Sequence, residues 1–177
     1  MFDLGPKVLK NLFFGLIIFA SLSSCQSKYD PGASYQRGIL TTPRSKTIET
    51  IVAETASQQT QGLSGVKAES FKENQAMIFY YPTEGYRSFW MPDTYFNLDI
   101  FFLSPKLKIL AIERNVAHHP GKSEPPAIAR TPTIYCAHVL ELKAGSSISK
   151  ELAVGDILTW SSKTSQLQIA PSTLQKK

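Results

Sequence analysis

Apolar side chains recur at every second position through Phe96-Asn97-Leu98-Asp99-Ile100-Phe101-Phe102-Leu103. A strand sends successive side chains to opposite faces. Phe96, Leu98, Ile100 and Phe102 therefore share one face, and Asn97, Asp99, Phe101 and Leu103 share the other. The residues just before, Arg87-Ser88-Phe89-Trp90-Met91-Pro92-Asp93-Thr94-Tyr95, complete the densest aromatic and apolar segment outside the N-terminus. The pattern predicts two core strands joined by a tight corner at Pro92-Asp93. Arg87, Asp93 and Asp99 place three charges inside this apolar run, and a buried charge is costly unless it is paired. The expectation is an Arg87–Asp99 pair beside Trp90.

The remaining chain shows the same short period. β-branched and aromatic runs predict strands over residues 47–54, 76–81, 86–90, 109–115, 134–142 and 157–160, and a weak one over 166–169. Thr55-Ala56-Ser57-Gln58 fits a capping box, with a hydroxyl at the N-cap and an amide three residues on. It predicts a short helix stopped by Gly62, with Leu63 docking into the core just beyond. Residues 148–152 suit one further helical turn. Residues 116–133 hold Pro120, Pro125, Pro126 and Pro132 and read as a long loop. Many short strands separated by turns predict a mainly β chain. The expected architecture is a single β-sandwich or jelly-roll-like domain over residues 46–170, with one or two short helices and a tail over 171–177.

The N-terminus follows different rules. Lys7 and Lys10 precede an apolar run over residues 12–20, too short for a permanent membrane span and suited to a secretory leader over residues 1–24. The leader ends in Leu22-Ser23-Ser24-Cys25, which resembles a bacterial lipobox. The resemblance implies that Cys25 becomes the lipidated first residue and anchors the chain to the membrane. Gln26 after Cys25 suggests the outer membrane, facing the periplasm. Residues 25–45 contain Pro31, Gly32, Gly38 and Pro43 and few aliphatics, so they read as a flexible tether, dispensable for folding.

Charge and cysteine content narrow the partners. The formal charge is +5. The leader contributes +1 (Lys7, Lys10 and Asp3), which leaves +4 with no basic run, a pattern that argues against nucleic acid. The chain has two cysteines. With Cys25 acylated, Cys136 has no partner within the chain and reads as a small buried hydrophobe.

Gly62-Leu63, Ala76-Met77-Ile78-Phe79, Arg87-Ser88-Phe89-Trp90-Met91, Thr94, Leu98-Asp99-Ile100, Val139-Leu140-Glu141-Leu142 with Ala144-Gly145, and Gly155-Asp156 resemble the domain of unknown function 192 family. The likeness spans residues 48–160. Pro92-Asp93 stand where that family has Lys-Asn. The resemblance implies a compact β-sandwich of jelly-roll type, often in exported proteins, and no established activity.

Candidate chemistry is sparse. Asp93 and Asp156 suit turns. Asp99 and Glu141 interrupt aliphatic strands, either to cap backbone N–H groups or pair with Arg87, or to touch a ligand. Adjacent His118 and His119 point to opposite sides of an extended chain, a poor metal chelate, and no metal or cofactor is expected. Trp90, Tyr86, Tyr95 and Tyr135 are either core and rim aromatics or the wall of a groove for a sugar-like ligand. Arg87, Trp90, Asp93, Thr94, Asp99 and Glu141 form the expected ligand-binding set. Together with Cys25 they predict a lipid-anchored envelope protein that binds a glycan or protein partner. The alternatives are a hydrolase or transferase using Asp99 or Glu141 with His118 or His138, and a scaffold without a small ligand.

Overall fold

The computed structural model describes residues 35–162. The leader, Cys25, the first part of the expected tether, the strand expected at 166–169 and the tail lie outside the described residues. In chain order the elements are β1 Gln36–Thr41, β2 Thr47–Ala53, α1 Ala56–Gln61, β3 Gln75–Phe79, β4 Gly85–Arg87, β5 Leu98–Leu103, β6 Ile109–Val116, β7 Ile134–Cys136, β8 His138–Lys143, α2 Ser147–Glu151 and β9 Thr159–Ser162. The fold is mainly β. Seven strands form one sheet in the order β6-β5-β8-β3-β2-β1-β9, and β4 and β7 form a separate two-stranded ribbon.

All neighbours in the large sheet are antiparallel except β2 and β3. A parallel pair needs a crossover, and α1 begins that crossover. The Thr55 hydroxyl accepts from the Gln58 N–H while the Gln58 side chain accepts from the Thr55 N–H, so the expected capping box forms. Gly62 then takes φ 48° and ends the helix, and Leu63 is buried.

Each face of the sheet carries a core. Leu98, Ile100 and Phe102 of β5 join Met77, Phe79 and Val139 on the first face, under Leu63, Met91, Phe96 and Ile128 from the covering segments. Phe101 and Leu103 join Ile78, Leu140 and Leu142 on the second, with Leu40, Ile48, Ile148 and Leu158. Every residue of β5 is buried, as expected for a strand covered on both faces. The two-residue period of the sequence therefore assigns each β5 side chain to its correct core.

Three expectations change. Residues 36–41 are not tether but β1, paired with both β2 and β9. Leu40 is fully buried, and Gly38 is needed because a Cβ there would lie 2.4 Å from the Trp160 ring. The two aliphatics of this segment, Ile39 and Leu40, are adjacent and not two apart, so it shows no two-residue period to read as a strand. Second, residues 87–100 do not form two core strands around a corner. β4 leaves the large sheet for the ribbon, and residues 88–97 run irregularly, held by isolated bridges from Trp90 to Arg130 and from Pro92 to His119. Third, the strand expected at 134–142 is split at Ala137 between β7 and β8, which belong to different sheets.

The corner and the long loop secure each other. Thr131 N–H donates to the Phe89 carbonyl at 2.8 Å, and Met91 N–H to the Ala129 carbonyl at 3.1 Å. Thr94 is buried; its hydroxyl donates to the Met91 carbonyl at 2.8 Å and accepts from the His119 N–H at 3.0 Å. Asp93 sits at φ 54°, a left-handed conformation that Asp tolerates better than most residues.

Candidate functional site

A cleft of about 300 Å³ opens between the exit of α1, the corner segment and the first face of the sheet. Glu141 of β8 lies at its floor, opposite Ile100 on one neighbouring strand and Met77 on the other. Glu141 is only 4% exposed, and among the described residues no hydrogen bond reaches its carboxyl group; Oε2 is fully enclosed. Burial pushes this carboxyl up to about 8, because the charged form loses its hydration and gains no partner.

Arg87 lines the wall. Its guanidinium carbon lies 3.4 Å from the centre of the Tyr81 ring, and Nη2 donates to the Thr83 carbonyl at 2.7 Å. Nε is enclosed and has no hydrogen-bond partner among the described residues. The Tyr81 hydroxyl is pushed up by burial and by the nearby Glu141 carboxylate, against the opposing effect of Arg87. Tyr81 thus lies within electrostatic reach of both groups. At the rim Trp90 is 50% exposed and Tyr86 77% exposed. Arg130 stacks on Trp90 at 4.7 Å, and Tyr86 meets Tyr135 edge to face.

The structure divides the expected ligand-binding residues. Arg87, Trp90, Thr94 and Glu141 line the cleft. Asp93 lies beside it and accepts from the Tyr95 hydroxyl at 3.0 Å, which makes it a corner group. Asp99 is elsewhere. It opposes Leu142 on the second face of the sheet, so Asp99 and Glu141 point away from each other. The expected Arg87–Asp99 pair does not form.

Asp99 instead has its own cage. It accepts from Ser149 Oγ, from Asn115 N–H at 2.7 Å, from Gly145 N–H at 3.1 Å and from Arg114 Nη1 at 3.3 Å. Burial raises its pKa, but the Ser149 hydroxyl, the two backbone N–H groups and Arg114 outweigh that and hold it below the usual carboxylate value. A carboxylate so fully satisfied is structural.

The histidines are also separate from Glu141. Strand alternation puts His138 on the opposite face of β8. Its ring stacks on Tyr80, Nδ1 accepts from Tyr81 N–H at 3.3 Å, and burial followed by Arg87 pulls it down to about 4. His118 Nδ1 contacts Asn97 Oδ1, and His119 Nε2 contacts the Ser123 carbonyl. Cys136 is buried, and burial pushes its thiol up. The reading of the sequence missed Tyr81 and the polar α1 exit, Gln59 to Ser64. Tyr81 ends a run that reads only as a core strand, and nothing local tells that its ring will lie beneath Arg87.

Glu141 makes stability depend on pH. Its carboxyl titrates at about 8 in the fold against 4.5 for a free side chain. Between those values the folded chain binds more protons than the unfolded one, so stability falls as pH rises from about 4.5 to about 8. Glu141→Gln is expected to remove this fall, worth roughly a few kcal/mol. Urea unfolding at pH 5 and pH 8 measures it, and an equal fall in both proteins would refute the assignment.

The fold and cleft define a mainly β domain with one enclosed, unpaired acid beneath an aromatic rim. A family model for the domain of unknown function 192, described as an uncharacterized ACR, matches residues 39–160, from within β1 to within β9. The chain belongs to this family. A Sinorhizobium meliloti 1021 protein described as a candidate transcription regulator has a similar structure. Its TM-score is 0.57 at 29% identity, over 72% of this chain and 94% of that one. A protein of unknown function from Novosphingobium aromaticivorans DSM 12444 also scores 0.57, at 20% identity over 71% and 85% of the two chains. No curated protein matches.

Proposed function

We propose that this chain is a lipid-anchored protein of the bacterial envelope, attached through Cys25 and facing the periplasm from the outer membrane, whose domain binds an envelope glycan in the Glu141 cleft. One observation carries the binding reading. Glu141 lies at the floor of an open cleft, its Oε2 is enclosed, and among the described residues its carboxyl has no hydrogen-bond partner. Leaving such a group unsatisfied costs about 1–3 kcal/mol, a cost that a ligand oxygen would offset. The exposed faces of Trp90 and Tyr86 at the rim suit the apolar face of a sugar ring. Among the described residues Glu141 is the one carboxylate in the cleft lining, whereas ordinary glycoside hydrolysis uses paired acids.

The anchor and the cleft are tested separately. Cys25→Ser is expected to leave an unprocessed precursor without lipid label; normal processing and labelling would sink the anchor. For the cleft, the full chain is immobilised and challenged with a glycan extract of the envelope. Retention that drops at least tenfold in Trp90→Ala supports the site, whereas equal retention by wild type, Trp90→Ala and Glu141→Ala removes it. Release of shortened glycan during the incubation would favour the hydrolase alternative.

A further inference from the structure

We infer that the cleft takes an acidic sugar, a pyranose bearing a carboxylate, with that carboxylate on Arg87 and an uncharged oxygen of the sugar on the Glu141 carboxyl. The inference rests on the reading of the cleft as a glycan site and specifies its ligand.

Arg87 and Glu141 are the charge-bearing side chains of the cleft lining, apart from the phenols of Tyr81 and Tyr86. They do not neutralise each other, since no ion pair joins them among the described residues. Arg87 is also held in place. Tyr81 supports the face of its guanidinium and the Thr83 carbonyl takes Nη2, so the group is fixed at the wall instead of swinging to Glu141. Its Nη1 has no hydrogen bond among the described residues, and an Arg fork with unused N–H groups matches a carboxylate better than a hydroxyl.

Glu141 contributes the other half. Burial, with no hydrogen-bond partner among the described residues, pushes its carboxyl up to about 8, so on the acid side of that value it offers the cleft an O–H donor. The cleft then carries a net positive charge from Arg87, and Arg130 on Trp90 adds a second cation at the rim. The chargeable groups around the cleft on Glu141's side of the sheet are Tyr81, Tyr86, Arg87, Cys136 and Lys143, with Tyr35, Lys67, Asp93, Tyr95 and Glu84 further out. Lys143 is engaged with Glu73 and the Ala68 carbonyl, and Cys136 and Tyr81 stay neutral near pH 7 because burial raises both. The carboxylates of Asp93 and Glu84 lie nearby but outside the lining. A volume of about 300 Å³ is at the small end of ligand pockets and suits one sugar ring, with Trp90 and Tyr86 against its faces.

The test is titration calorimetry on the full chain in detergent with two matched pairs of sugars. N-acetylmuramic acid and N-acetylglucosamine differ by a carboxylate-bearing side group, and glucuronic acid and glucose by oxidation of one carbon. The acidic member of at least one pair is expected to bind at least tenfold tighter. Arg87→Met should reduce the acid to the affinity of its neutral partner, while Glu141→Gln, which keeps a donor, should retain the preference. Wild-type affinity for the acid should fall between pH 6 and pH 9, and that fall should vanish in Glu141→Gln. If Arg87→Met does not fold, salt decides instead: 0.5 M NaCl should weaken the acid at least fivefold relative to 0.05 M and leave the neutral sugar unchanged.

Equal affinity within both pairs overturns the acidic ligand and leaves the glycan reading standing. Binding of none of the four overturns the inference, and the retention experiment with envelope glycan then decides the broader reading by itself.

Discussion

A chain that begins at Lys46 is expected to lose its cooperative fold. The cut removes β1, which lies between β2 and β9 in the large sheet. Among the described residues β9 pairs with no other strand, so it detaches as well, and β2 becomes an edge. The second core loses Leu40, which is fully buried, and is left open beside Ile48 and Val52. Truncating one buried leucine to alanine costs about 2–5 kcal/mol, and an entire domain is stable by only about 5–15 kcal/mol. Losing two strands therefore consumes most or all of the margin. Circular dichroism melts of chains beginning at Gln26 and at Lys46 check this, with Leu40→Ala as a milder probe expected to lose about 2–5 kcal/mol. A melting temperature within a degree or two for both chains would show that β1 is peripheral.

Replacing Asp99 is expected to be the most costly single change of a charged side chain. Asp99 is 3% exposed, and its loss strands the Ser149 hydroxyl, the Asn115 and Gly145 N–H groups and one contact of Arg114. Breaking a buried charged network on one side costs about 3–5 kcal/mol. Asp99→Leu should couple strongly to Ser149→Ala, because both remove the same hydrogen bond. It should add to Arg87→Met within roughly 0.5 kcal/mol, because those two side chains share no partner. Urea unfolding of the two double-mutant cycles gives both numbers. Strong coupling between Asp99 and Arg87 would show that the cage is misassigned.

The same cage sets an acid limit. The Asp99 pKa is lowered from 3.8 in the fold, so its contribution is fully present above the unfolded value and is lost as pH falls through the folded one. Asp99→Asn should therefore flatten the loss of stability below about pH 4 that wild type shows. Glu141 acts in the opposite sense between about pH 4.5 and about pH 8. The two strand-interrupting carboxylates, alike in the sequence, thus put opposite slopes on the stability curve.

The sequence determined what depends on neighbours along the chain. The two-residue period of residues 96–103 assigned β5 side chains to the two cores, because alternation is a property of the strand itself. Thr55, Gln58 and Gly62 marked α1, because a capping box and a glycine stop act within one turn. Tertiary structure alone decided what depends on distant partners. Asp99 meets Ser149 fifty residues away, whereas Glu141, an acid in an equally aliphatic strand, meets no hydrogen-bond partner among the described residues. Period two tells which face a side chain takes but not what stands opposite it. β1 belongs to the sheet because β2 and β9 flank it, and its own sequence carries too little apolar surface to announce a strand. The cleft follows from the same cause: Arg87 leaves the main sheet with β4, and Glu141 is left on the floor beneath the corner with its carboxyl unanswered.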